Sequence, residues 1–268
     1  MTDLTRPSAD LATALDMIDL EAEERSTVLG RLLGEARGLL IYGSRARGDY
    51  VATSDFDLLC LAYEALPTFT VGRVSVSSYT SDQLRSASHT LFGTHLIRDA
   101  KILYDPQGAL SQILATLEPA SPNELFRTVH RYSVVLNQPT REKVKYCSGL
   151  VRLARYLLRT AIYGKAMDEG SPCFSVRELA LRFNDPTLET LLASNSKVTG
   201  APTNALLEEL ITRLVSIVGP LPDTTCRSLP ALAVEMWQLD RNIAALAIRA
   251  ASEDEDTLDY SDLPKVLL

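Results

Sequence analysis

Two groups of residues in this chain are spaced to do chemistry together. Gly43-Ser44 closes an apolar run, Leu39 to Tyr42, and pairs a permissive backbone with a short hydroxyl, which suits a turn that opens a helix. Backbone amides at such a turn point at anions. After ten intervening residues come Asp55 and Asp57, set two apart among Phe56, Leu58, Leu59, Cys60 and Leu61. On a strand that spacing sends both carboxylates to one face, where two hard oxygen donors make a magnesium site. Asp-x-Asp pairs and Gly-Ser turns also occur separately in ordinary structure; the spacing and the apolar brackets single this combination out.

The elements that must position these groups are a strand over the Leu39 run, a tight turn, and a second strand from Phe56. Before them, Ser8 to Arg37 reads as one or two helices, with Ser8 a candidate N-cap and Gly38 the stop. After them, Val71 to Tyr79 alternates as a strand and a helix opens at Ser81. Beyond Glu118-Pro119 the composition turns helical, with helices expected at 122–137, 140–164, 175–183, 187–194, 203–218 and 227–251. The fold class expected is α+β: residues 1–118 form a domain with a small mixed, mostly antiparallel sheet backed by helices, 119–252 an all-helical bundle, and 253–268 an acidic tail.

Composition narrows the function classes. The chain has 268 residues, 46% hydrophobic and 23% charged, enough for a sizeable core. No apolar run reaches the length of about 18 residues that a membrane span needs, and the N-terminus lacks the apolar stretch of a signal peptide, so no membrane association and a cytoplasmic location are expected. Cys60, Cys147, Cys173 and Cys226 are scattered among apolar neighbours, which disfavours a disulfide framework or a zinc site and predicts buried thiols. With only His89, His95 and His130, a Ser-His-Asp site has little material, and these read as core or surface histidines. The net charge of −7 argues against non-specific coating of nucleic acid. Arg127 to Arg159 nonetheless carries eight Lys/Arg and one acid, Glu142. Turned at about 100° per residue, Thr140 to Gly164 places Arg141, Lys145, Arg152, Arg155 and Arg159 in one arc opposite an apolar face. This is either a solvated face or a basic wall.

The Gly-Ser turn followed by Asp-x-Asp in apolar brackets resembles the signature of the DNA polymerase β-like nucleotidyltransferase superfamily, of the kanamycin nucleotidyltransferase and minimal nucleotidyltransferase type. The resemblance covers roughly residues 38–117 and is specific in the Gly-Ser and Asp-x-Asp part. Within it, His89 to Pro106 resembles the helix and edge strand that finish the family's domain. It implies an enzyme that moves an NMP, AMP favoured, from an NTP to an acceptor hydroxyl. Gly43 and Ser44 would hold the β- and γ-phosphates, and Asp55 and Asp57 would bind two Mg²⁺ ions. Arg45, Arg47 and Lys145 would support charge on the triphosphate of ATP. A protein side chain or a tRNA end, as in toxin–antitoxin members of the family, would suit the basic helix as acceptor; an aminoglycoside would suit the acidic remainder.

One position departs from the family pattern. The third carboxylate of such enzymes falls on Ser75, with Ser77 the other same-face choice, and neither can ligate as a carboxylate. Asp49, Asp82 and Glu118 are the candidate substitutes. The alternative is a nucleotide-binding regulatory or partner-binding protein with little or no turnover. A ribonuclease-type helical toxin domain in the C-terminal half is disfavoured, since no His follows His130.

Overall fold

A computed structural model describes residues 10–52, 54–64, 66–192 and 202–252. The chain divides into two compact units, Met1–Ala120 and Ser121–Leu268. Among the described residues no helix is long and apolar enough to cross a membrane. Ser8, offered as an N-cap, and the acidic stretch 253–268 lie outside the described residues.

The first unit is α+β, built on one mixed five-stranded sheet of order β3-β4-β2-β1-β5. Its strands are β1 (Ala36–Tyr42), β2 (Phe56–Ala62), β3 (Phe69–Val71), β4 (Val74–Tyr79) and β5 (Lys101–Tyr104). Three of the pairings are antiparallel, and β2 runs parallel to β4. Helices α1 (Leu11–Asp16) and α2 (Ala22–Leu32) supply Leu15, Val28 and Leu32 to one face, where they meet Leu39, Ile41, Leu58, Cys60, Val74 and Val76. On the other face Leu40, Leu59 and Leu61 pack with residues of α4 (Ser81–Arg85), α5 (Leu91–Asp99) and α6 (Ala109–Thr116). Strands β1 and β2 are therefore apolar without alternation because both of their faces are covered. Strand β4 alternates, with Val74 and Val76 buried and Ser75 and Ser77 only partly so.

Local details differ from the sequence reading. Helix α2 ends at Leu32 with Gly34 in the left-handed region at φ 87°, and Gly38 lies inside β1. The single strand expected over 71–79 is a hairpin, folded at Gly72 (φ 54°) between β3 and β4. Strand β5 does sit at the sheet edge.

The second unit is helical in all its described elements. Its longest helix, α9 (Cys147–Asp168), packs against α7 (Pro122–Tyr132) and the helices Asn204–Val218 and Arg241–Ala251. Two expected helices are each divided in two. The 140–164 helix breaks at Tyr146 (φ −112°, ψ 28°), which separates α8 (Thr140–Lys145) from α9. The 227–251 helix breaks at Asp240, whose carboxylate accepts from the amides of Asn242 and Ile243 and so starts a new helix. Cys60, Cys173 and Cys226 are buried thiols and Cys147 is half-buried. Burial pushes the Cys60 thiol up to about 12.

Candidate functional site

Strand β1 runs directly into the five-residue helix α3 (Gly43–Arg47), which Gly48 stops in the left-handed conformation, its amide donating to the Ser44 carbonyl at 2.8 Å. Gly43 makes the change of direction at φ 74°. A Cβ there would lie 2.6 Å from Asp57 Oδ2, so the glycine backbone and the carboxylate are packed in direct contact. The register explains why: Tyr42 faces Asp57 across the β1–β2 ladder. The turn and the second carboxylate are brought together by the sheet.

The ladder continues through β4 and β3. Asp57 pairs with Ser75, and Ser75 pairs with Thr70, so Tyr42, Asp57, Ser75 and Thr70 form one row across four strands. Ser77 pairs with Leu59, two residue pairs further along the ladder. Ser75 is thus the residue directly beside Asp57 on β4. Asp55 is exposed and lies just outside β2, one residue before its first position.

None of the proposed substitutes completes a ligand set. Asp49 is paired with Arg47 at 3.1 Å, Asp82 sits in the first turn of α4, and Glu118 lies 3.7 Å from His89. Among the described residues no group of three or more His, Cys, Asp or Glu side chains could hold a metal ion. Two carboxylates with hard oxygens do suit a Mg²⁺ ion that keeps its waters and arrives with substrate phosphates, which is how this ion is commonly bound. They do not make an all-protein cage.

The cations are engaged within the protein. Arg45 donates Nε and Nη2 to the Ser54 carbonyl at 3.2 and 2.9 Å, and its guanidinium lies over the rings of Tyr50 and Phe56 at 4.2 and 4.3 Å. It clamps the loop that delivers Asp55. Arg47 donates Nη1 to Asp99 Oδ2 at 2.9 Å and Nε to Asp49 Oδ1 at 3.1 Å. Its side chain is 15% exposed and that of Asp99 3%. Burial works to lower the Arg47 pKa, but the hydrogen bond and charge of Asp99, with Asp49, outweigh it and hold it above the usual value. Burial works to raise the Asp99 pKa, and the His95 and Arg47 contacts outweigh it and hold the carboxyl below the usual range.

The basic arc of the 140–164 segment is not a single outward wall. Arg155 is buried and donates Nε to the Leu191 carbonyl at 2.9 Å, while Arg159 donates to the Leu192 carbonyl. These are the last carbonyls of α11 (Thr187–Leu192), which has a negative dipole end there. Arg152 reaches the Ser252 carbonyl at 3.5 Å. Lys145 is exposed in the second unit, with Nζ 4.6 Å from the Tyr146 ring centre. A helical wheel cannot show that the helix breaks at Tyr146, nor that the end of another helix meets Arg155 and Arg159.

Sequence reasoning missed the part played by His95 and Asp99. His95 Nε2 lies 3.1 Å from Asp99 Oδ2 and 3.3 Å from Arg47 Nη1. Its ring stands edge-on to Tyr42, 5.6 Å between centres, and Tyr42 also meets Phe92 at 5.9 Å. The available signal was the i, i+4 spacing of a histidine and an acid on one predicted helix.

No protein-family profile matches the chain, and no curated protein matches it. Among solved structures, one similar chain is described as "Crystal structure of the toxin-antitoxin with AMP-PNP". It shares 18% identity, covering 36% of this chain and 82% of that one, with a TM-score of 0.27. Similarity at that level carries no argument about what this chain does.

Proposed function

We propose that the first unit binds a nucleoside triphosphate, ATP favoured, at Gly43, Ser44, Asp55 and Asp57, and transfers the NMP to an acceptor hydroxyl. The observation that supports this is the contact between the Gly43 backbone and Asp57 Oδ2, which sets the turn that opens α3 directly against a carboxylate and admits no side chain there. The amides of Gly43 and Ser44 receive phosphate oxygens, and Asp57, fixed in the ladder, and Asp55, on the clamped loop, hold the cation. A bound Mg²⁺ supplies charge neutralisation at the phosphates and acidifies the acceptor hydroxyl. Arg45 and Arg47 enter as supports of the loop and of α3. The basic arc that suited a protein side chain or a tRNA end is largely committed to helix ends, so it no longer favours either over a small-molecule hydroxyl as acceptor. Incubation of the full chain with Mg²⁺ and each labelled NTP, with candidate acceptors, tests the reading. Pyrophosphate release that disappears in Asp57→Ala is expected; release unchanged in that variant refutes it.

A second reading, nucleotide binding with little turnover, is favoured by Ser75 standing in register with Asp57. Calorimetric ATP binding without pyrophosphate release is its signature, and efficient transfer excludes it.

A further inference from the structure

Helix α3 has five residues, far too few to be stable alone, and something must hold it where it meets Asp57. The structure does so from both sides with one helix, α5. Ahead of Gly43, Tyr42 is packed edge-on against Phe92 and His95. Behind it, Arg47 is held by Asp99 at 2.9 Å and lies 3.3 Å from His95. The segment carrying Gly43 is stapled at each end.

Asp99 is an odd residue to find there. It is the last residue of α5, where the helix dipole disfavours an anion, and it is nearly dry. Its neighbours offset that cost: Arg47, His95 at 3.1 Å, and Arg98 Nε at 3.6 Å. An acid in an unfavourable place, held by His95 of its own helix and by Arg47 at the far end of α3, reads as an anchor for α3.

We propose that Asp99 is a positioning residue: through Arg47 and His95 it fixes α3, and with it the Gly43 backbone, against Asp57, and thereby sets the affinity of the site for nucleotide phosphates. This rests on the nucleotide-binding reading above. The test is calorimetric binding of ATP with Mg²⁺ to the full chain, with thermal melting run on each sample. The variants are Asp99→Asn, Arg47→Lys, Asp57→Asn and the double Asp99→Asn/Asp57→Asn. Folded Asp99→Asn and Arg47→Lys should each bind ATP roughly ten- to a hundredfold more weakly. The double variant should bind no worse than Asp57→Asn alone, because Asp99 acts through the Asp57 site; a general structural role gives additive losses instead. Folded variants with the wild-type affinity, or additive losses, overturn the proposal. If Asp99→Asn does not fold, Arg47→Lys decides; if neither folds, Asp99 serves stability alone and the proposal falls. Wild-type protein that does not bind ATP refutes the nucleotide reading and this one with it, whereas binding that is unaffected in the variants refutes only this one.

Discussion

Gly43 is the position at which the site tolerates least change. Alanine there needs a left-handed backbone and a Cβ 2.6 Å from the Asp57 carboxylate. Strain of this kind costs about 1–3 kcal/mol, and here it falls on the site itself. Gly43→Ala is expected to lower the melting temperature and to weaken ATP binding at least tenfold, about 1.4 kcal/mol or more, by calorimetry. Ser75 is the opposite case: an acid there would face the Asp57 carboxylate across the ladder, and a bound cation would offset their repulsion. Ser75→Asp puts a third carboxylate in register with Asp57. Tighter Mg²⁺ binding and faster pyrophosphate release are expected if the missing ligand limits turnover, and a titration of rate against Mg²⁺ measures both. The spacing that singles out Gly43, Ser44, Asp55 and Asp57 is local, and of the four the ladder brings Gly43 and Asp57 into contact. His95 and Asp99 were not legible, because an i, i+4 ion pair looks the same whether it faces water or anchors a neighbouring helix.

At the scale of elements, α3 and α5 are joined by an ion pair whose acid has a depressed pKa. The sign follows directly. A carboxyl depressed in the folded state contributes stability above its unfolded pKa, and that contribution is lost as pH falls through the folded value. Melting followed from pH 7 downward should show a loss that sets in below about pH 4, the ordinary Asp range, and Asp99→Asn should shallow it. Glu24 and Asp185 are depressed too, so the variant should remove part of the acid sensitivity and leave the rest. In the second unit, α9 approaches the helix Arg241–Ala251 so closely that a Cβ on Gly149 would lie 2.0 Å from the Ala250 carbonyl oxygen. Backbone cannot step aside as a flexible side chain can. Gly149→Ala should destabilise by about 1–3 kcal/mol, read by chemical denaturation. Element types were largely legible from periodicity and turn residues. The breaks at Tyr146 and Asp240 were not, because neither position carries a proline or glycine and the apolar pattern runs through both.

At the scale of the whole chain, each unit owns its core. The first has the two layers around β1 and β2, and the second the cluster around Leu150, Ala154, Leu157 and Ala161. A fragment of residues 1–120 is therefore expected to fold and to bind ATP as the full chain does. Circular dichroism and calorimetry on that fragment check the expectation, and loss of binding in a folded fragment shows that the second unit contributes to the site. The α+β class was legible because strand-like runs and helical periodicity occur in separate stretches of the chain. What the basic residues of α9 face was not legible, since it depends on where the end of α11 packs.

Strand β2 lies in mid-sheet with apolar residues on both faces, and this fixes more than stability. A slip by one residue would turn Asp57 toward Val28 and Leu32 and would lift Leu58 to the face of Tyr42 and Ser75. The dry layers on either side thus act as a ruler against that slip. A chain that has packed its core has already placed its carboxylate, with no separate device needed for accuracy.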